Sequence, residues 1–155
     1  MNVIIDTSSD WLAVRARTDS YDAYESRTAE QLSTKTADRK YNDVVVTGTE
    51  WTERVCLPGS SGGCIDDFGL FLFDKADNAL ELNKADGYLG LARVEPFETG
   101  TLKGFNRGPS IIKEMLNKGL ISESTFSLYL TSTGKSTVHF GAPVEQAMKD
   151  KNAMA

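Results

Sequence analysis

Apolar residues fall along this chain in short runs of strand length. VIID (3–6) and WLAV (11–14) are bounded by polar residues. KYNDVVVTGTEWTERVCL (40–57) fills two further strands with Val, Thr, Tyr and Trp, which suit a pleated surface. Residues 17–39 are polar and predict loop with short strands, and DFGLFLFD (67–74) is another run of strand length. In KADGYLGLARV (84–94), Gly87 and Gly90 bracket Tyr88 and Leu89, which marks backbone passing close to something. One segment has helical spacing: PSIIKEMLNKG (109–119) sets Ile111 against Met115 and Ile112 against Leu116. Ser110 takes its N-cap, Lys118 its last turn and Gly119 its C′ position. FSLYL (126–130) and STVHF (136–140) predict a hairpin about a Ser-Thr-Gly-Lys turn, and the tail predicts a weak helix or frayed end. The pattern predicts a mainly β domain with one or two short helices.

Composition narrows the partners. A length of 155 residues supports one domain with a sizeable core, and 40% hydrophobic with 25% charged residues is ordinary globular material. The net charge of -5 argues against nucleic acid, because phosphate binding needs a basic surface. No apolar run nears the roughly 18 residues of a membrane helix, and the start of the chain shows no signal-peptide pattern. Neither nucleic acid nor membrane is expected as a partner. Cys56 and Cys64 flank the turn-forming LPGSSGG, so they can close a disulfide across a hairpin mouth, which would indicate an oxidising compartment, or stay as two free buried thiols. Both readings remain open. With the lone His139 they lack the number and spacing of a zinc site, so no metal and no other cofactor is expected.

Chemistry concentrates where VIID meets TSS. Ending an apolar strand on a carboxylate is costly unless the group is hydrogen-bonded or functional. Asp6 is therefore a candidate catalytic residue, although Asp-Thr-Ser-Ser is also good turn chemistry.

Several stretches, in order, resemble the N-terminal lobe of a pepsin-like aspartic protease (peptidase family A1). VIIDTSSDWLAV is similar to that family's catalytic strand and loop. KYNDVVVTGTEWTERV is similar to its flap hairpin, and ADGYLGLA to the segment beside the catalytic loop. SIIKEMLNKGLISESTFSLYL and STVHFGAP resemble the helix and strands that close the lobe. Asp-Thr-Ser alone is a weak motif; ADGYLGLA followed by GLISESTFSLYL carries the likeness. It spans residues 1–143, without the family's first strands, and leaves 144–155 as a tail.

The resemblance implies a single lobe of the pepsin-like acid-protease β-barrel fold and an aspartic-type endopeptidase acting on peptide or protein. Asp6 matches the catalytic aspartate of one lobe. Thr7 matches the threonine that locks the catalytic loops together, and Ser9 the serine that orients the carboxylate. Ser8 stands where the family has glycine. Tyr41 matches the flap tyrosine, but the family's glycine-rich flap tip is replaced by Asn42-Asp43-Val44-Val45, which predicts a stiffer flap or none. Gly87 and Gly90 match glycines packed beside the loop, and Asp86 belongs to the same motif. Ala13 replaces a family tryptophan, with Trp11 as a partial substitute.

The chemistry needs two aspartates sharing one proton, and no second apolar-Asp-Thr/Ser-Gly/Ser run occurs in this chain. The partner aspartate is expected from a missing C-terminal lobe or from a homodimer. The alternative is a catalytically inactive, peptide-binding or vestigial half-lobe. By resemblance the compartment is secretory, vacuolar or lysosomal.

Overall fold

The computed structural model describes residues 1–19, 21–41, 44–58, 63–77, 85–92, 108–132 and 136–142. It divides into two compact units, Met1–Ile111 and Ile112–Ala155.

The first unit is built on a seven-stranded mixed sheet. Its strands are β1 (Val3–Asp6), β2 (Leu12–Arg15), β5 (Glu30–Gln31), β6 (Ala37–Tyr41), β7 (Val44–Cys56), β8 (Cys64–Ala76) and β9 (Gly87–Gly90). The order is β1-β9-β2-β8-β7-β5, and β6 also pairs with β7. Two short strands, β3 (Arg17–Thr18) and β4 (Tyr21–Asp22), form a separate hairpin. β1 runs parallel to β9 and β2 parallel to β8, while β9 lies antiparallel to β2.

β7 and β8 are longer than their apolar runs alone predict, at 13 residues each. They are antiparallel partners over most of that length, with register shifts between Thr47 and Gly48 and between Glu53 and Val55. Burial along β7 therefore changes parity: Val44, Val46 and Gly48 are buried in its first half, Trp51 and Glu53 in its second. Each half serves a different face of the sheet. β8 is central, and Leu70 to Phe73 are buried at consecutive positions, as a strand covered on both faces requires.

Cross-strand register assigns the faces. Trp11, Ala13, Tyr41, Val44, Val46, Phe71, Phe73 and Tyr88 form one packed core. The alternate positions Leu12, Val14, Leu70, Leu72, Leu89 and Trp51 are buried on the other side.

The Cys pair closes the β7–β8 hairpin. Cys56 and Cys64 are register partners joined by a disulfide with S–S 2.03 Å and a sequence separation of 8. The turn residues 59–62 lie outside the described residues. Closing a loop this short restricts the unfolded chain by about 2.5 kcal/mol in the chain-entropy account. Reducing the bond, or making Cys56→Ser with Cys64→Ser, is expected to lower stability by roughly 2 kcal/mol in urea denaturation, without loss of the β7–β8 pairing.

α1 (Ile111–Asn117), in the second unit from Ile112 onward, ends as its sequence predicts. Gly119 has φ 68°, its N–H bonds the Leu116 carbonyl at 2.9 Å, and the Leu120 N–H bonds the Met115 carbonyl at 2.9 Å. This is a Schellman close, and glycine is there because an L-residue resists that φ. The helix is shorter than the 109–119 segment, and Lys118 lies just past its end with its N–H on the Glu114 carbonyl. β10 (Phe126–Tyr129) and β11 (Thr137–Phe140) form the expected antiparallel hairpin. Part of its turn, 133–135, and the tail from 143 lie outside the described residues.

Candidate active site

Asp6 ends β1 because β9 threads between β1 and β2 and holds the loop that follows. The Leu91 N–H bonds the Asp6 carbonyl at 2.8 Å, the Ala92 N–H bonds the Ser9 carbonyl at 2.8 Å, and the Gly90 N–H bonds the Trp11 carbonyl at 3.0 Å. The segment is clamped at its start as well. Asp86 accepts the Asn2 N–H on its carboxylate at 2.7 Å, and its own N–H bonds the Asn2 carbonyl at 2.6 Å. Threading this close leaves no room for side chains at Gly87 and Gly90. A Cβ on Gly87 would lie 2.0 Å from the Ala13 carbonyl oxygen, and one on Gly90 would lie 2.7 Å from the Ser9 carbonyl oxygen.

The Asp6 carboxylate is held on one side. Its Oδ1 accepts the Ser8 N–H at 2.8 Å and the Ser8 hydroxyl at 2.6 Å. Its Oδ2 is buried and has no hydrogen-bond partner. Burial works to raise the carboxyl's pKa. The two Ser8 bonds, with a smaller contribution from the Ser9 hydroxyl, outweigh it and hold the group below its ordinary range. The sequence assigned the orienting hydroxyl to Ser9; in the structure Ser8 supplies the hydrogen bond. Ser9 Oγ is buried and closes no full bond, and Thr7 is exposed. The residue that departs from the family pattern is thus the one that grips the carboxylate.

Register places Asp6 beside Gly90 and Ile4 beside Tyr88, so the Asp6 carboxylate shares the sheet face of Tyr88 and Ala13. Tyr41 belongs to the same face. It ends β6 opposite Val44, just before the hairpin tip. Asn42 and Asp43 of that tip lie outside the described residues, while Val44 and Val45 belong to β7. The hairpin exists, but the Tyr41 ring is 1% exposed and stacks on Tyr88 with centroids 4.8 Å apart and planes 16° apart. Its hydroxyl is buried without a partner. Burial, then the charge of Asp10, push the phenol well above its usual pKa. Arg39 opposes that shift, and Asp6 and Tyr88 add to it.

Ala13 belongs to the same packed core. It is fully buried between register partners Tyr88 and Phe71, and the space over its methyl group belongs to the core that includes Tyr41 and Trp11. Trp11 packs edge-on to Phe71 at 6.1 Å. Arg39 lies over both rings, at 5.3 Å from Trp11 and 4.8 Å from Phe71. Its guanidinium pairs with Glu50 at 2.8 Å. Arg39 was missed in the sequence, yet a signal was there: it sits two residues before Tyr41, so any strand that buries Tyr41 buries Arg39 too.

Asp10 lies in the same loop and is bonded elsewhere. Its Oδ2 accepts the Gly108 N–H at 3.0 Å, which holds Gly108 against Trp11. Among the described residues no group of three or more His, Cys, Asp or Glu could hold a metal, and no helix is long and apolar enough to cross a membrane.

The site is thus an apolar strand that ends on a half-held carboxylate, with a glycine-framed strand threaded beside it. Among solved structures, an aspartic proteinase from Irpex lacteus matches with a TM-score of 0.70 at 20% identity. The match covers 92% of this chain and 41% of that one, so this chain spans less than half of its structural neighbour. A sequence model of the eukaryotic aspartyl protease family matches residues 1–154, and the chain belongs to that family. No curated protein sequence matches it.

Proposed function

We propose that this chain contributes one half of an aspartic endopeptidase, with Asp6 as one of two catalytic carboxylates. The observation that carries this reading is the place of Asp6: it ends β1 at the loop that β9 holds, with its Oδ1 fixed by the Ser8 N–H and hydroxyl, in a chain that matches the eukaryotic aspartyl protease model over residues 1–154. The second carboxyl of the pair would come from a second Asp-bearing lobe or a second copy of the chain. In such a pair the ionised member takes a proton from water as it attacks the scissile carbonyl, and the protonated member hydrogen-bonds the carbonyl oxygen. Thr7, exposed at the tip of the loop, is available to the partner loop. The substrate is a peptide or unfolded protein. The Cys56–Cys64 bond suits an oxidising, secretory or vacuolar compartment.

A second reading, peptide binding without turnover, is favoured by Tyr41. Packed against Tyr88, it occupies the face that a flap tyrosine would share with substrate. One experiment separates the two. Hydrolysis of an unfolded protein is followed at about pH 3.5, between the two steps of a carboxylate dyad. The samples are the monomeric chain, the chain at concentrations where it dimerises, and the chain extended by a second Asp-bearing lobe. The proposal expects cleavage only in the assembled forms, blocked by a statine-type inhibitor and lost in Asp6→Asn. Peptide binding with no cleavage in any assembled form supports the second reading. Cleavage that survives Asp6→Asn contradicts the proposal.

A further inference from the structure

On the sheet face opposite Asp6, one carboxylate gathers an entire loop. Glu53 of β7 is 6% exposed. Its Oε2 accepts the Tyr21 hydroxyl at 2.9 Å and the Ser26 hydroxyl at 2.6 Å. Its Oε1 accepts the Arg54 N–H at 2.7 Å and the Thr28 hydroxyl. Four donors therefore meet two oxygens, and none of the four is a cation. Three come from residues 21–28, the stretch that joins the β3–β4 hairpin to β5.

At its start, Tyr21 and Asp22 are β4 and pair with Thr18 and Arg17 of β3; the Tyr21 N–H also bonds the Thr18 hydroxyl at 3.0 Å. The Glu25 N–H bonds the Asp22 carbonyl, the Tyr24 N–H bonds the Asp22 carboxylate, and the Thr28 N–H bonds the Ser26 hydroxyl. These bonds are local and tie the loop to itself. β5 adds two register pairs with β7, Glu30 with Thr52 and Gln31 with Trp51. Beneath the loop, Ala23 and Trp51 are buried, and the Tyr24 ring stands edge-on to Trp51 at 5.4 Å.

We propose that Glu53 is a proton-operated latch: ionised, it pins residues 21–28 over the Trp51 side of the sheet, and protonated it releases them. A carboxylate can accept at both oxygens, two donors each. A protonated carboxyl turns one oxygen into a donor that faces the Tyr21, Ser26 or Thr28 hydroxyl, and it loses the charge that strengthens every bond. Neighbouring charges do not take over its role. On β7 the Arg54 guanidinium turns to Asp66 of β8 at 3.2 Å. On β3, Arg17 reaches Asp22 of β4 at 4.0 Å and lies over the Tyr24 ring. Glu25 and Arg27 of the loop and Glu30 of β5 are exposed.

The sign follows from the donors. Burial works to raise the Glu53 pKa, but the Ser26, Thr28, Arg54 and Tyr21 bonds hold it below the ordinary glutamate value. The latch is therefore closed at and above the pH at which a free glutamate titrates, about 4.3, and opens as pH falls through the lower, folded value. The loop is therefore kept shut under mildly acid conditions.

Hydrogen exchange on the whole chain tests this, read as protection of residues 21–31 relative to Leu70–Phe73 of β8. Expected is a loss of the loop's protection as pH falls from about 6 to below the folded Glu53 value, while β8 stays protected. Glu53→Gln should show the low, released protection at every pH. Tyr21→Phe and Thr28→Val each remove one donor and keep Glu53, so each should move the midpoint of release to higher pH. That shift keeps the test open even where Glu53→Gln fails to fold. Loop protection that does not change with pH, loop and β8 lost together, or an unmoved midpoint in both donor variants would overturn the latch.

Discussion

Gly87→Ala is expected to lower the stability of the chain by roughly 3 kcal/mol or more, the upper end of what overpacking costs. The melting temperature should drop by roughly 10 °C. The added Cβ would meet the Ala13 carbonyl oxygen at 2.0 Å and the Val14 Cα at 3.0 Å. These are backbone atoms of β2, itself fixed between β8 and β9, so neither can rotate away as a side chain would. Relief requires β9 to leave its register, and the same register carries Asp6 through the Leu91-to-Asp6 bond. Gly90→Ala should cost less in stability, since its nearest approach is 2.7 Å, and more in site geometry. The atoms it presses are those of Ser9, Asp10 and Trp11 in the loop between β1 and β2. Thermal unfolding measures the first effect; the Ser8 and Asp6 chemical shifts measure the second.

Asp6→Asn is expected to leave the fold intact and abolish proteolysis by any assembled form, while changing how stability depends on pH. The folded Asp6 pKa lies below its unfolded value because Ser8 donates twice to the ionised carboxylate. A depressed carboxylate contributes stability that is fully present above the unfolded pKa, about 3.9, and is lost as pH falls through the folded value. The wild-type chain should therefore outlast Asp6→Asn in urea by a constant margin above about pH 5, and the margin should close in stronger acid. The gain is modest, because Oδ2 lies buried without a donor and offsets part of what Ser8 supplies. Ser8→Gly, which restores the residue usual in the family, should raise the Asp6 pKa by removing the 2.6 Å hydroxyl bond.

Much of this organisation can be read from residue pattern. Strand-length apolar runs gave the sheet its main members, and Ser110 and Gly119 bracketed α1 because helix ends need a capping side chain and a left-handed residue. Asp6 could be found because an apolar strand rarely ends on a carboxylate. Other features depend on neighbours distant in sequence. The full length of β7 and β8 comes from their mutual pairing and not from their own composition. The inward Tyr41 ring packs on Tyr88, a residue of another strand. Glu53 was passed over because an isolated Glu in WTERV reads as a solvent-facing position, although its two-residue spacing from buried Trp51 puts both on one face. Which serine would hold Asp6 turned on the rotation of the loop after β1, and pattern carries no information about that.

The central claim is that this chain holds one catalytic carboxylate and awaits another. It is tested most directly by a carboxyl-carbon NMR titration of Asp6 in the monomeric chain, assigned by its absence in Asp6→Asn. The account predicts a single step with its midpoint below the usual aspartate value, about 3.9, from a monomer that cleaves no peptide at the same pH. A two-step titration would show a second acid already coupled to Asp6 within the chain and would contradict it.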